Sequence, residues 1–310
     1  MTRPFAAAAL VALAACNPGA DDPTLDAGDT GTTSTAAAGA SSTSTTAVPS
    51  TTAAPTTAGA ATTTVPTGGV GTLPEGSPTT VADALGTSEA AIRDAATPAT
   101  DLERHGRAQQ VAYRQLAVHP EWLDQVLDRL PDDLHGIVRA HTSAGIELRA
   151  LTKPQTALPP WRIVAPAPAD ELLRYYKEAD AAVGAPWNYL AAIHLVETRM
   201  GRIRGTSTAG AQGPMQFLPS TWEQYGQGGD IDNNRDAIFA AARLLVRNGA
   251  PGNMSNALFN YNRSTRYVSA ITAYAEQMGA AERAYYGYYH WQVYYRMADG
   301  DRLLAVGYGT

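Results

Sequence analysis

The sequence predicts a mainly α protein, with a helical lead-in, a central helical domain and a short β-hairpin at the C-terminal end. Three observations predict this. From about residue 87 to about 280, apolar residues recur at helical spacing in segments that open on a capping residue or proline and mostly close on glycine or proline. One of these segments, 186–200, is apolar nearly all round, the pattern of a helix buried at the centre of a domain. Past residue 284 an aromatic run takes over, and Asp299-Gly300 between two strand-like stretches has the composition of a hairpin turn.

The first 80 residues have a different character. Arg3 and the apolar run from Phe5 to Leu13 form an export signal over 1–15, too short to span a bilayer. Leu13-Ala14-Ala15-Cys16 resembles the lipobox of bacterial lipoproteins, which implies lipidation of Cys16 and a lipid anchor in the membrane. The alternative is an ordinary cleavage site with an incidental cysteine. Cys16 is the only cysteine, so no internal disulfide is available and packing must supply the stability. The expected location is extracytoplasmic, at a membrane surface facing the cell wall. Residues 16–80 are rich in Ala, Thr, Ser, Gly and Pro, without an aromatic residue. Such a segment buries too little apolar surface to offset its ordering entropy, and is predicted to be a disordered linker with a reach of roughly 45 Å. The net charge of −6 excludes a basic surface for nucleic acid.

The lead-in, 81–153, is predicted as a helical subdomain. Thr87 or Ser88 is expected to cap a short helix, Thr100 a helix over 101–118, and Pro120 and Pro131 to open two more. His105, His119, His135 and His141 lack metal-ligand spacing and read as surface or packed histidines. Five prolines between 153 and 168 predict an extended surface connection. Within the central domain, 154–284, an amphipathic helix over 170–183 ends at Gly184 and the apolar helix begins at Pro186. The glycine-rich stretch 205–213 reads as irregular backbone. Ser220 and Glu223 have capping-box spacing, Asp236 is placed to cap the next helix, Asn253 or Ser255 a short one, and Ser264 the last. Residues 285–310 are assigned to the hairpin. Their aromatic side chains are expected to pack on their own domain rather than stack on sugars.

Glu197 is the only acidic residue between Ala181 and Trp222. A carboxyl among Trp, Leu, Ile, Val and Ala pairs with a base or has its pKa raised by desolvation, and a raised carboxyl suits general acid catalysis. Glu197-Thr198, Gly213-Pro214-Met215-Gln216, Pro219-Ser220-Thr221-Trp222 and Asn260-Tyr261-Asn262 follow in order on helical context. Together they resemble the soluble lytic transglycosylase domain of the lysozyme-like superfamily, over roughly 166–280. The family pattern is Glu-Ser, Gly-Leu-Met-Gln and Ala-Tyr-Asn. Here Thr198 stands for Ser, Pro214 for Leu, Asn260 for Ala, and Arg263-Ser264 for a small residue and Gly.

The resemblance implies a lysozyme-like helical catalytic domain that cleaves peptidoglycan glycan strands between N-acetylmuramic acid and N-acetylglucosamine. It implies Glu197 as acid and base, Thr198, Met215, Gln216, Tyr261 and Asn262 as substrate-binding residues, and Tyr261 as the group that orients Glu197. Action as a monomer without cofactor or metal is expected. Glycoside hydrolysis ordinarily uses two carboxyls. No acid follows Glu197 before Glu223, which is assigned to a cap, so one carboxyl is expected to serve twice and close a 1,6-anhydro sugar. The alternatives are a hydrolysing muramidase, a non-catalytic wall-binding lipoprotein, a structural Glu197 paired with Arg199 or Arg202, and a metal held by His194 and Glu197. A calcium loop at Asp230, Asp232, Asn234 and Asp236 is disfavoured, because Arg235 stands where glycine is needed.

Overall fold

The computed structural model describes residues 66–310. The export signal, Cys16 and most of the linker lie outside the described residues. Among the described residues no helix is long and apolar enough to cross a membrane.

The protein is mainly α, with eleven α-helices and few short strands among the described residues. The chain enters on β1 (Val70–Thr72), which pairs antiparallel with the C-terminal strand β5 (Gly300–Leu304), itself paired with β4 (Val293–Met297) in the order β1-β5-β4. The linker predicted to run to residue 80 is therefore structured from residue 66. The first helix begins earlier than expected. α1 (Pro78–Arg93) is capped by Ser77, whose hydroxyl accepts from the Thr80 amide, and Thr87 and Ser88 lie inside it. Pro78 at the first position explains the early start, since its missing N–H costs nothing there.

α2 (Ala99–Val118), a 3-10 turn (Pro120–Trp122), α3 (Leu123–Leu127) and α4 (Asp132–Ala150) complete the lead-in. α2 starts after Pro98 rather than on a Thr100 cap. The proline-rich connection is less superficial than expected. It carries β2 (Arg162–Ile163), paired with β3 (Ile203–Arg204), and buries Trp161 and Ile163 against Val293, Tyr295 and Leu304.

α5 (Ala169–Val183) ends at Gly184 in the left-handed conformation, φ 90°. α6 (Trp187–Thr198) follows Pro186, and every residue from Leu190 to Thr198 is buried. At roughly 1.5–3 kcal/mol for each fully buried large aliphatic side chain, Leu190, Ile193, Leu195 and Val196 make α6 a main source of stability. It packs against α5, against α8 (Asn234–Arg247) and against α10 (Thr265–Ala280). α10 also packs on α4, so one apolar cluster runs from Val81 to Trp291 through lead-in and central helices.

α7 (Pro219–Tyr225) begins at Pro219 with Leu218 at its cap, and the predicted Ser220–Glu223 capping box does not form. Glu223 is exposed. Asn233, not Asp236, caps α8, accepting from the Arg235 and Asp236 amides, while Asp236 accepts from the Asp230 amide. α9 (Met254–Tyr261) and α10 are capped by Asn253 and Ser264 as expected. The aromatic run opens as a helix, α11 (Arg283–Tyr289), and only then becomes the hairpin β4–β5. The hairpin loop is Ala298-Asp299, and Gly300 pairs with Met297. Tyr285, Tyr288, Trp291, Tyr294 and Tyr295 are buried, so the C-terminal aromatics do pack on their own domain.

The fold lowers the pKa of four histidines. His141 is stacked on Tyr113, bonded through Nδ1 to the Ile137 carbonyl and through Nε2 to the Tyr288 hydroxyl, and burial keeps its pKa below the ordinary value. Burial takes His194 down to about 3 and His290 to about 4, and lowers His105. The unfolded chain takes up these protons near pH 6.5, and the folded chain refuses them. Stability is thus complete above 6.5 and falls as pH drops towards 3, by up to about 1.4 kcal/mol per pH unit for each fully buried histidine. Melting temperature measured from pH 7.5 down to 4.5 should decline steadily, and a flat profile would contradict the assignment.

Candidate functional site

The site is built on the C-terminal end of α6. After Glu197 and Thr198 the chain leaves the helix through three consecutive left-handed residues, Arg199 (φ 54°), Met200 (φ 60°) and Gly201 (φ 78°). Met200 N–H closes back to the His194 carbonyl at 3.1 Å. A left-handed non-glycine residue costs roughly 1–2 kcal/mol, and such strain persists only where surrounding contacts impose it. One such contact is the Thr198 hydroxyl, which accepts from Gly201 N–H at 3.0 Å and donates to the Pro214 carbonyl at 2.6 Å.

That second bond ties α6 to the turn 213–216. Gln212 and Phe217 face each other across it, exchanging backbone bonds of 2.8 and 2.9 Å. Gly213 (φ 73°) and Gln216 (φ 52°) bend the chain between them. The Gly213 carbonyl accepts both the Gln216 amide at 3.1 Å and its side-chain Nε2 at 2.9 Å. From the other side the Tyr261 hydroxyl, at the end of α9, donates to the Met215 carbonyl at 2.6 Å. The turn is therefore clamped between α6 and α9, and three of the four segments singled out in the sequence meet in space.

Glu197, next to Thr198, is buried at 1 % exposure. Its Oε1 accepts a hydrogen bond from Tyr267 at 2.9 Å, in the first turn of α10. This corrects the expectation for Tyr261, whose hydroxyl is given to Met215. Tyr267 lies against it with parallel rings 6.5 Å apart. Both hydroxyls are held well above the usual tyrosine pKa, by burial first and then by the charge of Glu197, the only carboxylate that acts on them. They stay protonated and remain donors.

No family model matches this chain, and no curated protein or solved structure matches it either.

The remaining expected residues are placed as follows. Thr198, Met215 and Gln216 are buried, and Asn262 is half-buried at the C-cap of α9. Thr198 uses its hydroxyl to fasten the turn. Gln216 keeps an unused acceptor, because its Oε1 is buried with no hydrogen-bond partner. Arg263 donates to Asn260 Oδ1 at 3.1 Å and lies over the Phe259 ring.

The guanidinium of Arg199 donates to the Leu195 carbonyl, and that of Arg202 donates to the Arg199 carbonyl and lies over Tyr289. The imidazole of His194 is engaged through Nδ1, 2.7 Å from the Tyr176 hydroxyl. Among the described residues no group of three or more His, Cys, Asp or Glu side chains is placed to hold a metal ion.

Sequence reasoning missed Tyr267. It also missed a second buried carboxyl, Glu89, fully enclosed in the lead-in. Glu89 accepts from Gln109 Nε2 at 3.0 Å and from the Tyr113 hydroxyl, and pairs with Arg93. It is the polar knot that joins α1 to α2.

Proposed function

We propose that the protein is a peptidoglycan lytic transglycosylase of lysozyme-like fold, with Glu197 acting first as acid and then as base. One observation carries this reading: a single carboxyl at the end of an apolar helix, bonded by a tyrosine hydroxyl and followed by Thr198, which fastens a strained turn that Tyr261 holds from the other side. Glu197 protonates the leaving glycosidic oxygen. The carboxylate so formed takes the proton from the C6 hydroxyl of the same muramoyl residue, and that oxygen bonds to C1. No water is consumed, so no second carboxyl is needed. The free acceptor of Gln216 supplies a partner for a sugar hydroxyl or amide, which would relieve a buried polar atom worth roughly 1–3 kcal/mol. At 1 % exposure, the glycosidic oxygen reaches Glu197 only after the surrounding side chains part. The implied setting is an extracytoplasmic, lipid-anchored enzyme acting on the cell wall.

Mass spectrometry of sacculi digested with the full-length chain tests the reaction. Muropeptides ending in 1,6-anhydro sugar support it. Products carrying reducing-end water would identify a hydrolysing muramidase. The burial of Glu197 also favours a second reading, a wall-binding protein without turnover, and binding to sacculi with no soluble product would establish that one.

Tyr267→Phe removes the hydroxyl from Glu197 and leaves the ring. A donated hydrogen bond favours the ionised carboxyl, so its loss raises the carboxyl pKa. Glu197 must carry a proton to act first as acid, so its titration sets the alkaline limb of the pH–rate profile, which should move to higher pH, while the plateau rate below that limb should fall about tenfold, the worth of one such bond. An unchanged profile would remove Tyr267 from the site.

A further inference from the structure

Arg199 carries its guanidinium into the interior, where the residue is 5 % exposed. Five N–H donors enter with it. NH1 donates to the Leu195 carbonyl at 2.5 Å. The groups that act on it are the Tyr274 hydroxyl and two more cations, Arg114 and Arg202. Burial lowers its pKa to about 10, which leaves it charged at neutral pH.

Beside it lies a cavity of about 30 Å³ between α2, α4, α10 and the end of α6, lined by Arg114, Arg149, Arg199, Gln110, Tyr274 and Trp291 among others. Three guanidiniums thus face one small space. Asp301 accepts from Arg114 and, through both oxygens, from Arg149 at 2.9 and 2.8 Å, so a single carboxylate serves two of them. Gln110 is spent on the backbone of Gln292, donating at 2.8 Å and accepting at 2.7 Å. His141, also on the wall, has both ring nitrogens engaged. Arg114 Nε is buried with no hydrogen-bond partner. What remains around the cavity is a set of donors in which three guanidinium charges face one carboxylate, and buried positive charge without a counter-ion is costly.

We propose that this cavity binds one small monovalent inorganic anion, of the size of chloride. Its volume takes one or two water-sized particles, which excludes sulfate, phosphate and organic acids. A water molecule would engage the donors without neutralising the charge. The anion would brace the left-handed run that follows Glu197 from behind, and the inference does not depend on whether the protein turns over glycan.

The test is melting of the full-length chain in potassium chloride, bromide and gluconate at equal ionic strength. An anion bound only by the folded state raises the melting temperature with the logarithm of its concentration, by about 3–5 °C per tenfold for a chain of this size. Chloride and bromide should show this rise, gluconate should not, and Arg199→Met should abolish the halide-specific part. The wild-type protein should broaden the chloride NMR line saturably, and Tyr274→Phe should weaken that broadening. Identical melting in all three salts, or a halide-specific rise retained by R199M, overturns the site. If R199M fails to fold, the line width decides alone: saturable broadening weakened by Tyr274→Phe supports the anion, and no broadening overturns it.

Discussion

Glu197→Gln is expected to abolish glycan cleavage, by about 10³-fold or more, while the protein folds as before. The substitution keeps the shape of the side chain, and its amide oxygen can still accept from Tyr267, so the bond at 2.9 Å has a substitute. It removes both the proton given to the leaving oxygen and the carboxylate that takes the next proton from the C6 hydroxyl. General acid or base assistance contributes about 10²–10⁴-fold to a step, and here one group supplies both halves. Stability should hold or rise, since an ionisable group at 1 % exposure is replaced by one that needs no charge. Clearing of purified sacculi followed by turbidity, beside a thermal melt of the same preparation, separates the outcomes. A folded E197Q that still clears a tenth as fast as wild type would end the catalytic assignment. Loss of clearing accompanied by loss of the fold would point to a structural carboxyl.

The parts of this architecture that were legible in the sequence are those where one local signal has one meaning. An apolar run opened by Pro186 can only be a buried helix, and α6 is one. Ser264 and Asn253 cap the helices they precede, because a short polar side chain there reaches the next turn whatever the rest of the chain does. Where two local signals competed, the choice went astray. Ser220 and Glu223 have the spacing of a capping box, but Pro219 fits the first helical position and draws the start back to Leu218. Asp236 could cap α8, yet Asn233 is three residues earlier and gains one more turn.

Long-range pairing was beyond local reading. Val70–Thr72 is a strand only because Arg302–Leu304 lies beside it, and three residues in a Gly- and Thr-rich stretch carry no periodicity of their own. For the site, the order of the motif segments was readable, but the hydrogen bonds were not. Tyr261 and Tyr267 are both buried aromatics at helical positions. Which hydroxyl meets Glu197 and which meets the Met215 carbonyl depends on how α9 and α10 cross. The same holds for Arg199: its guanidinium was weighed as a partner for Glu197, and the left-handed turn at Arg199 sends it to the cavity against α4 and α10 instead.

The turn tied to α6 through Thr198 should tolerate little change, and Gly213→Ala should be a strongly damaging small substitution. Two independent constraints meet at Gly213. Its φ of 73° costs an L-residue roughly 1–2 kcal/mol. A β-carbon there would also stand 2.0 Å from the Ile231 carbonyl oxygen and 3.0 Å from its carbon, and these are backbone atoms that cannot swing aside. The turn must then shift, and it is held at both neighbouring carbonyls, by Thr198 at Pro214 and by Tyr261 at Met215, each at 2.6 Å. Losing these two buried bonds at about 1 kcal/mol each, on top of the strain, brings the loss to about 4 kcal/mol, or about 8–16 °C in melting temperature. Gly210 supplies the control. It lies in the same stretch with φ 85°, but a β-carbon there would meet nothing within 4 Å. Gly210→Ala should therefore show the conformational strain alone, a fall of a few degrees. If G213A melts as high as G210A, the turn moves freely and the clamp between α6 and α9 does not hold it.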